Sequence, residues 1–356
     1  MTARRGALVA AIAATLLLAG CTGAPPAPPP PGPTGSGSAN TSDIATGLES
    51  PWSILRLDDG TILVSQRDDG RIVRVDGGEP EPIGTVPGVV HQGEGGLLGI
   101  AFRDGWLYAY ETTASDNRVV RMRLSDRLAL GDPVVLLKGL HKASNHNGGR
   151  IAFGPDGLLY VTVGDAGTTS DAQDLRSLNG KILRMTPDGA VPDDNPFPGS
   201  YVYSYGHRNP QGLAWDASGQ LWASEFGQDT WDELNRIRPG KDYGWPVVEG
   251  MAGDERFVDP VAQWHTDEAS PSGLASVGGS LWMAALRGER LWRITVGDDG
   301  AVATAQLLAG DDSRGRLRDV APGPDGGLLV LTDNTDGRGT PRVGDDRLLR
   351  IGLSAS

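Results

Sequence analysis

A histidine-containing segment, Ser144-Asn145-His146-Asn147-Gly148-Gly149-Arg150, has the residue types that proton transfer requires. The segment enters a strand that ends in Gly164-Asp165-Ala166-Gly167, and the strand length puts Asp165 back near a blade end, where it could orient His146. A histidine held by a carboxylate is a common general base, because the pKa of imidazole lies near neutrality. The spacing predicts that Asp165 orients His146, although a loop histidine followed by glycines can also be purely structural.

Arginines are grouped in segments that could bind an anion. The segment Tyr205-Gly206-His207-Arg208-Asn209-Pro210-Gln211-Gly212-Leu213 places Arg208 and Asn209 before a proline, and a planar guanidinium suits carboxylate oxygens. Arg287 and the segment Arg314-Gly315-Arg316-Leu317-Arg318 are local basic clusters in a chain whose net charge is −13. These arginines either balance neighbouring carboxylates or, if they face one cavity, form a site for a small polyanion.

Two further segments have the composition of ligand or metal loops. His91-Gln92-Gly93-Glu94-Gly95-Gly96 is rich in glycine, which lets the backbone approach a ligand closely, although a turn before a strand looks the same. Residues 224–233, followed by 242–246, combine clustered carboxylates with glycines that expose backbone carbonyls. Oxygen ligands in a flexible loop favour calcium, and the alternative is an acidic, solvated loop.

Repeated strands must position these segments. A glycine-containing turn precedes an apolar strand six times, with the glycines at positions 60, 105, 157, 219, 279 and 326. An arginine between apolar or nearly apolar residues also recurs six times, at positions 74, 121, 184, 236, 293 and 350. Such turns are hairpin chemistry, and repeats of this length with several strands each are typical of propeller blades.

The two repeats predict an all-β fold, a six-bladed β-propeller without amphipathic helices. We interpret the repeated arginines as solvated or edge positions on an outer strand. In a propeller the long connections at one end converge on the central channel, so the polar segments should meet there.

The overall composition excludes several classes of protein. The chain has 32 lysines and arginines against 45 aspartates and glutamates, so it should bind neither nucleic acid nor anionic lipid headgroups non-specifically. Its single cysteine excludes intramolecular disulfides and cysteine-ligated zinc.

The N-terminus has the pattern of an export signal. Arg4 and Arg5 precede an apolar run, residues 7–19, that is too short for a comfortable membrane span. The string Leu18-Ala19-Gly20-Cys21 resembles a bacterial lipobox, which implies that Cys21 carries a lipid. Ordinary secretion with an incidental cysteine is the alternative.

These features divide the chain into three parts. Residues 1–20 would be the lipoprotein signal peptide, residues 21–41 a lipid anchor with a disordered linker rich in proline, glycine and serine, and residues 42–356 the propeller. We expect an exported protein on the outer face of the bacterial cytoplasmic membrane, in contact with that membrane through its lipid anchor only.

Several blocks together resemble the soluble quinoprotein glucose and aldose sugar dehydrogenases, the glucose/sorbosone dehydrogenase family. The resemblance extends from Leu48-Glu49-Ser50-Pro51-Trp52 to Leu331-Thr332-Asp333, and its most specific motifs are Gly206-His207-Arg208-Asn209-Pro210-Gln211-Gly212-Leu213 and Tyr243-Gly244-Trp245-Pro246. It implies a six-bladed propeller that holds pyrroloquinoline quinone (PQQ) and calcium, with a small sugar as substrate and an electron acceptor that the sequence does not identify.

The resemblance also implies residue roles in catalysis. His146 would take the proton from the anomeric hydroxyl of the sugar while a hydride passes to the quinone, which yields a lactone. Asp165 would orient His146. Arg208 and Asn209 would contact the quinone oxygens and stabilise the reduced cofactor.

Other matching positions imply cofactor and metal contacts. Arg316 and Arg318 match an arginine pair that holds the cofactor carboxylates. The backbone carbonyls of Gly227 and Gln228 would bind a calcium that bridges the protein and the quinone. A second, structural calcium would be bound by the residues that match its ligands, Glu233 and Tyr243.

This chain departs from the family pattern at several cofactor positions. Glu94 stands where the glucose dehydrogenases have a cofactor-contacting glutamine, Arg287 replaces a cofactor-binding lysine and Asn145 replaces an aspartate. Phe226 and Gln228 replace a glutamine and a proline in the calcium loop. Glu94 is expected to repel a tricarboxylate quinone unless it is protonated or bound to a cation.

Two other functions are compatible with the sequence. One is a calcium-dependent propeller lactonase or hydrolase, and the other is a non-catalytic envelope propeller that has lost PQQ and binds a sugar or a partner. Arginines 208, 316 and 318 separate these from the dehydrogenase, because a lactonase has no need of three cations in one channel.

Overall fold

The computed structural model describes residues 40–297 and 300–353. Within these ranges the chain forms 24 β-strands arranged as six four-stranded antiparallel sheets. The helical segments of the described residues are three short 3-10 turns, Thr169–Ala172, Gly310–Asp312 and Pro324–Gly326. The prediction of an all-β, six-bladed propeller is therefore confirmed. The predicted signal peptide, Cys21 and nearly all of the predicted linker lie outside the described residues.

Five of the six blades consist of four consecutive strands. Blades 1 and 2 contain β2 (Pro51–Arg56), β3 (Ile62–Gln66), β4 (Arg71–Val75), β5 (Glu81–Thr85), β6 (Leu97–Arg103), β7 (Trp106–Thr112), β8 (Asn117–Arg123) and β9 (Val134–Leu140). Blades 3 and 4 contain β10 (Ile151–Phe153), β11 (Leu159–Val163), β12 (Lys181–Met185), β13 (Val202–Tyr205), β14 (Pro210–Trp215), β15 (Leu221–Glu225), β16 (Trp231–Ile237) and β17 (Ala262–His265). Blade 5 contains β18 (Pro271–Val277), β19 (Ser280–Ala285), β20 (Arg290–Val296) and β21 (Val302–Leu307).

The sixth blade joins the two ends of the described chain. It contains β22 (Leu317–Pro322), β23 (Leu328–Thr332), β24 (Leu348–Gly352) and, as its outermost strand, β1 (Asn40–Ala45). β1 pairs with β24 in antiparallel register, from Asn40 opposite Gly352 to Ala45 opposite Leu348. The N-terminal strand thereby closes the ring.

The predicted glycine turns connect the first and second strands of the blades. Gly60, Gly105 and Gly157 have φ values of 91°, 76° and 79°, a conformation that residues with a side chain rarely adopt. These turns lie at one end of the propeller, which we call the lower end. The opposite, upper end carries the connections between blades and those between second and third strands.

The repeated arginines lie on the third strand of each blade and not on the outermost strand. Two of the six are exposed, as predicted, and none lies at a sheet edge. Several of them stack on an aromatic ring of the second strand, as Arg121 does on Trp106 at 4.3 Å and Arg236 on Trp222 at 4.9 Å. Each such cation–π contact contributes about 0.5–1 kcal/mol where it is partly exposed. The repeat is therefore a packing feature of the blade.

The hydrophobic core is divided among the interfaces between neighbouring blades. Six clusters of buried apolar side chains occupy these interfaces. Between blades 4 and 5, for example, Trp222 and Trp264 pack with Leu281, Met283 and Trp292. Each sheet therefore buries both faces, which explains the mainly apolar second strands.

Polar groups from the innermost strands fill the middle of the channel. Nη1 of Arg150 donates to Oδ2 of Asp319 at 2.9 Å and to Oγ of Ser53 at 3.1 Å, and its Nε donates to the carbonyl of Gln211 at 2.9 Å. Its guanidinium lies 4.3 Å from the centroid of Trp52. This buried network separates the upper end of the channel from a cavity of about 420 Å³ at the lower end.

In the part of the chain that the structure describes, no helix is long and apolar enough to cross a membrane.

Candidate active site

His146 and Asp165 form a hydrogen-bonded pair at the upper end of the channel. Nδ1 of His146 lies 2.7 Å from Oδ1 of Asp165, which also accepts the Gly167 N–H at 2.8 Å, while Trp245 Nε1 donates to Oδ2 at 2.8 Å. Burial alone would raise the pKa of Asp165, but the hydrogen bonds from His146 and Gly167 outweigh it and lower this pKa. Asp165 is therefore a carboxylate, Nδ1 carries the imidazole proton, and Nε2 can accept one.

The backbone of His146 is held by Glu94. His146 has a φ of 54°, which is uncommon for a residue with a side chain, and its N–H donates to Glu94 Oε2 at 3.0 Å. The other oxygen of Glu94 accepts from Arg338 Nη1 at 2.8 Å. Asn145, the residue before His146, is half-buried.

Arg208 and Asn209 lie between β13 and β14, next to this pair. The carbonyl of Arg208 accepts the Asp165 N–H at 2.8 Å, and its guanidinium lies 5.5 Å from the ring centroid of Trp245. Its Nε is buried without a hydrogen-bond partner, and burial lowers the pKa of this arginine. Oδ1 of Asn209 accepts the Gly148 N–H at 3.0 Å. Arg208 therefore has an unsatisfied donor, and the charge of Asp165, the partner of His146, acts on its guanidinium.

His207, the neighbour of Arg208, is a structural residue. It is fully buried, with Nδ1 at 2.8 Å from Glu225 Oε2 and Nε2 at 2.8 Å from Ser204 Oγ. Glu225 also accepts the backbone N–H of Arg208. This network holds the backbone of Arg208 and so fixes the direction of its side chain.

Arg316 and Arg318 are buried at the upper end of blade 6, and each already has a carboxylate partner. Nη2 of Arg316 lies 2.9 Å from Asp336, and Nη2 of Arg318 lies 2.6 Å from Asp333. Burial raises the pKa of Asp333 to about 6, although Arg318 acts in the opposite direction. Arg67, which the sequence analysis did not identify, is also buried here. Burial alone would lower the pKa of Arg67, but the neighbouring carboxylates, Asp333 and Asp336 among them, raise it.

Arg287 has a different environment from these arginines. It is exposed in the turn between β19 and β20, and no described residue forms a hydrogen bond or ion pair with its side chain.

The predicted calcium loop wraps around an internal carboxylate. Oε1 of Glu249 accepts four consecutive backbone N–H groups, those of Gln228, Asp229, Thr230 and Trp231, at 2.7–3.1 Å. Because a trans peptide group directs its N–H and C=O oppositely, the carbonyls of Gly227 and Gln228 point away from Glu249. Neither of these carbonyls accepts a hydrogen bond from a described residue.

Glu233 and Tyr243 line a cavity of about 10 Å³, the size of one ion or water molecule. Glu225 and Glu249 line it as well. Burial raises the pKa of Glu233 to about 8, and the charge of Glu225 acts in the same direction. The described part of the chain nevertheless contains no group of three histidine, cysteine, aspartate or glutamate side chains that converges as a metal-ligand set.

Four residues that shape the site were not assigned roles from the sequence. Trp245 belongs to the sequence motif Tyr243-Gly244-Trp245-Pro246, which is the local signal for its position near Arg208. Asp336, Arg338 and Glu249 stand in loops without a local signal, and only the arrangement of the blades brings them to the site.

Comparison with known proteins gives a consistent result. The family model for glucose/sorbosone dehydrogenase matches residues 48–350. The aldose sugar dehydrogenase YliI of Escherichia coli K12 is 32% identical over 346 residues, which cover 84% of this chain and 91% of that protein.

Solved structures agree with this match. The PQQ-bound aldose sugar dehydrogenase of Streptomyces coelicolor is 54% identical with a TM-score of 0.84, covering 88% of this chain and 98% of that one. A putative oxidoreductase (glucose dehydrogenase) of Thermus thermophilus is 43% identical with a TM-score of 0.82, covering 88% of this chain and 100% of that one. The chain belongs to the glucose/sorbosone dehydrogenase family.

Proposed function

We propose that this protein is a PQQ-dependent aldose sugar dehydrogenase that oxidises the anomeric carbon of a sugar to a lactone. Family membership and the PQQ-bound relative support a PQQ-dependent sugar oxidoreductase. The observation that carries the finer proposal is the His146–Asp165 pair at 2.7 Å, next to a guanidinium with an unpartnered Nε. This combination supports a site in which a proton acceptor acts together with a donor for a developing negative charge.

The residues at the upper end of the channel fit a planar quinone with three carboxylates. Arg208 Nε is a buried donor without a partner, and Arg316 and Arg318 supply two more guanidinium groups. We propose that Arg316 and Arg318 hold the carboxylates of PQQ, and that Arg208 and Asn209 contact its quinone oxygens. Asn145 and Arg287 are further candidates for contact. When bound, PQQ supplies the acceptor for the hydride and its two electrons.

His146 would act as the general base. Its side chain is 14% exposed, and because Nδ1 is bonded to Asp165, Nε2 is the nitrogen left for a substrate. As Nε2 takes the proton of the anomeric hydroxyl, the Asp165 carboxylate stabilises the imidazolium that forms. Trp245 and the Gly167 N–H keep Asp165 in place during this transfer.

We also propose that calcium binds at the two predicted places. The outward-pointing carbonyls of Gly227 and Gln228 are suitable oxygen ligands, and they have no competing hydrogen bond from a described residue. The ion-sized cavity beside Glu233 and Tyr243 supports the second site.

Export and lipid anchoring through Cys21 complete the proposal. They rest on the sequence pattern around that cysteine. Blocking its lipidation with Cys21→Ala should move the protein from the membrane fraction to the soluble fraction of the cell envelope.

A reconstitution experiment tests the catalytic proposal. Full-length protein is mixed with PQQ and calcium and then given aldoses and an artificial electron acceptor, whose reduction is followed by absorbance. We expect turnover in the wild type and none in His146→Ala, which should still show the absorption of bound PQQ.

A matched control separates the role of His146 from the general loss of an imidazole. His141 also pairs with an aspartate, Asp171 at 2.9 Å, but its side chain is 63% exposed. His141→Ala should keep wild-type turnover. Hydrolysis of lactones with metal alone would instead favour a lactonase, and no binding of PQQ would favour a binding propeller.

A further inference from the structure

Glu94 raises an electrostatic problem for the proposed cofactor. Its side chain is only 20% exposed, and its carboxylate contacts the backbone of the proposed base. Glu94 and Asp165 are also among the negative charges that act on Arg208. A carboxylate in this position would repel an incoming tricarboxylate unless another group compensates its charge.

Arg338 is placed to supply that compensation. Its Nη1 donates to Glu94 Oε1 at 2.8 Å across 244 positions of sequence, from blade 6 to the connection before blade 2. The other oxygen of Glu94 accepts the His146 N–H, so the ion pair leaves that contact intact.

The backbone around Arg338 is fixed by a residue of the arginine cluster. Oδ1 of Asp336 accepts the N–H groups of Arg338 and Gly339 at 2.8 and 3.1 Å. Oδ2 of the same carboxylate accepts Nη2 of Arg316 at 2.9 Å. One aspartate therefore positions both Arg338 and Arg316.

We propose that Arg338 is a positioning residue that neutralises Glu94, so that the site can bind an anionic quinone while Glu94 still holds the backbone of His146. The proposal rests on the function proposed above. Arg338 acts through Glu94 and not through the cofactor itself. The positive charge of Arg338 favours PQQ binding only while Glu94 carries a negative charge. This dependence on Glu94 distinguishes the proposal from a direct contact between Arg338 and the cofactor.

The test measures PQQ affinity rather than activity. Full-length wild type, Arg338→Gln, Glu94→Gln and the double variant are titrated with PQQ in calcium buffer, and Kd is obtained from quenching of tryptophan fluorescence. An uncompensated, largely buried carboxylate at the site should repel an anionic ligand, so Arg338→Gln should bind PQQ about tenfold more weakly than the wild type. Glu94→Gln, which keeps an oxygen for the His146 N–H, should bind at least as tightly as the wild type.

The double variant decides how Arg338 acts. If Arg338 only compensates Glu94, then adding Glu94→Gln to Arg338→Gln restores Kd to within about threefold of wild type. A double variant that binds as weakly as Arg338→Gln, or an Arg338→Gln variant with unchanged Kd, would overturn the inference alone. No PQQ binding by the wild type would overturn the proposed function and this inference with it.

Two controls exclude trivial explanations. Arg350 also forms an ion pair, with the exposed Asp325 at 2.6 Å, but at the lower end of blade 6. Arg350→Gln makes the same change in net charge and should leave Kd unchanged. Thermal unfolding of each variant without PQQ should show that the changes in Kd occur in folded protein.

Discussion

The proposed base is held on two sides by groups that lie far apart in the sequence. Asp165 fixes the imidazole through Nδ1, and Glu94 fixes the backbone of the same residue through its N–H. Asp165 is itself fully buried and receives a hydrogen bond from Trp245. This arrangement pre-organises Nε2 before a substrate arrives, which reduces the reorganisation that proton transfer requires.

Asp165→Asn tests whether the carboxylate sets the state of His146. An amide at this position keeps the shape but cannot stabilise an imidazolium, so we expect kcat to fall by about 10²–10⁴-fold. PQQ binding should change little, because Asp165 is not proposed to contact the cofactor. Trp245→Phe, which removes only one hydrogen bond to Asp165, should cost much less. Wild-type kcat in Asp165→Asn would mean that His146 is not the base.

Glu111, at the upper end of β7, provides a prediction for stability. It is 3% exposed, its Oε2 has no partner, and burial raises its pKa to about 7. Between the pKa of glutamate in the unfolded chain, about 4.3, and pH 7, Glu111 is more protonated in the folded state than in the unfolded state. The free energy of unfolding therefore falls as pH rises through this range. Glu111→Gln should therefore be more stable than wild type at pH 8, by about 3 kcal/mol, and nearly equal to it at pH 4.5.

Urea unfolding at the two pH values measures this effect. Glu79→Gln, at an exposed position, is the control and should show no pH-dependent difference from wild type. A Glu111→Gln variant that is less stable than wild type at pH 8 would show that the Glu111 charge is favourable in the fold.

Local spacing explains which site residues the sequence could indicate. His146 and Asp165 are 19 residues apart and flank the β10–β11 hairpin, which returns the chain to the upper end, so their contact follows from a local hairpin. Trp245 is 80 residues from Asp165, and Arg338 is 244 residues from Glu94. Contacts at such separations depend on how the blades are arranged around the channel, which no local pattern specifies.

At the scale of elements, the blade repeats were predictable to different degrees. Aspartate-glycine pairs predict hairpins directly, because the positive φ that a tight turn needs is a local property of the glycine. The strand on which an arginine lies depends instead on counting all four strands of a blade. β10 has only three residues and no clear pattern, so the strands of its blade cannot be counted from the sequence. The prediction that the arginines lie on an outer strand was wrong because it lacked this count.

The loop after β15 depends on Glu249. Four backbone N–H groups converge on one oxygen, and hydrogen bonds to a charged acceptor contribute more than neutral ones. Glu249→Gln should therefore destabilise the loop by roughly 2 kcal/mol and speed hydrogen exchange at the amides of residues 228–231.

Glu255→Gln is the matched control for this experiment. Glu255 is an exposed glutamate in the same long connection between β16 and β17, and its replacement should leave exchange at those amides unchanged. Equal protection in Glu249→Gln and wild type would mean that the loop is held by its other contacts. Calcium affinity should fall together with protection if the carbonyls of Gly227 and Gln228 are ligands.

At the scale of the whole molecule, six similar sheets form a ring that one strand must close. The sequence repeats predicted the number of blades, but they did not show that the sixth blade begins with β1. That strand, Asn-Thr-Ser-Asp-Ile-Ala, is largely exposed except at its last residue, Ala45. An edge strand without apolar alternation gives no sequence signal, although the site needs the ring that it closes.

Removal of β1 tests this dependence. A chain that begins at Thr46 lacks the pairing with β24 and the ion pair of Asp43 with Arg347, and it exposes the edge of β24. We expect its melting temperature to fall by roughly 5–10 °C relative to a chain that begins at Asn40, and the shorter chain to aggregate more readily. PQQ affinity should fall as well, because blade 6 carries both Arg316 and Arg338. Equal melting temperatures and equal affinities in the two chains would show that five blades and an incomplete sixth are sufficient to hold the upper end of the channel together.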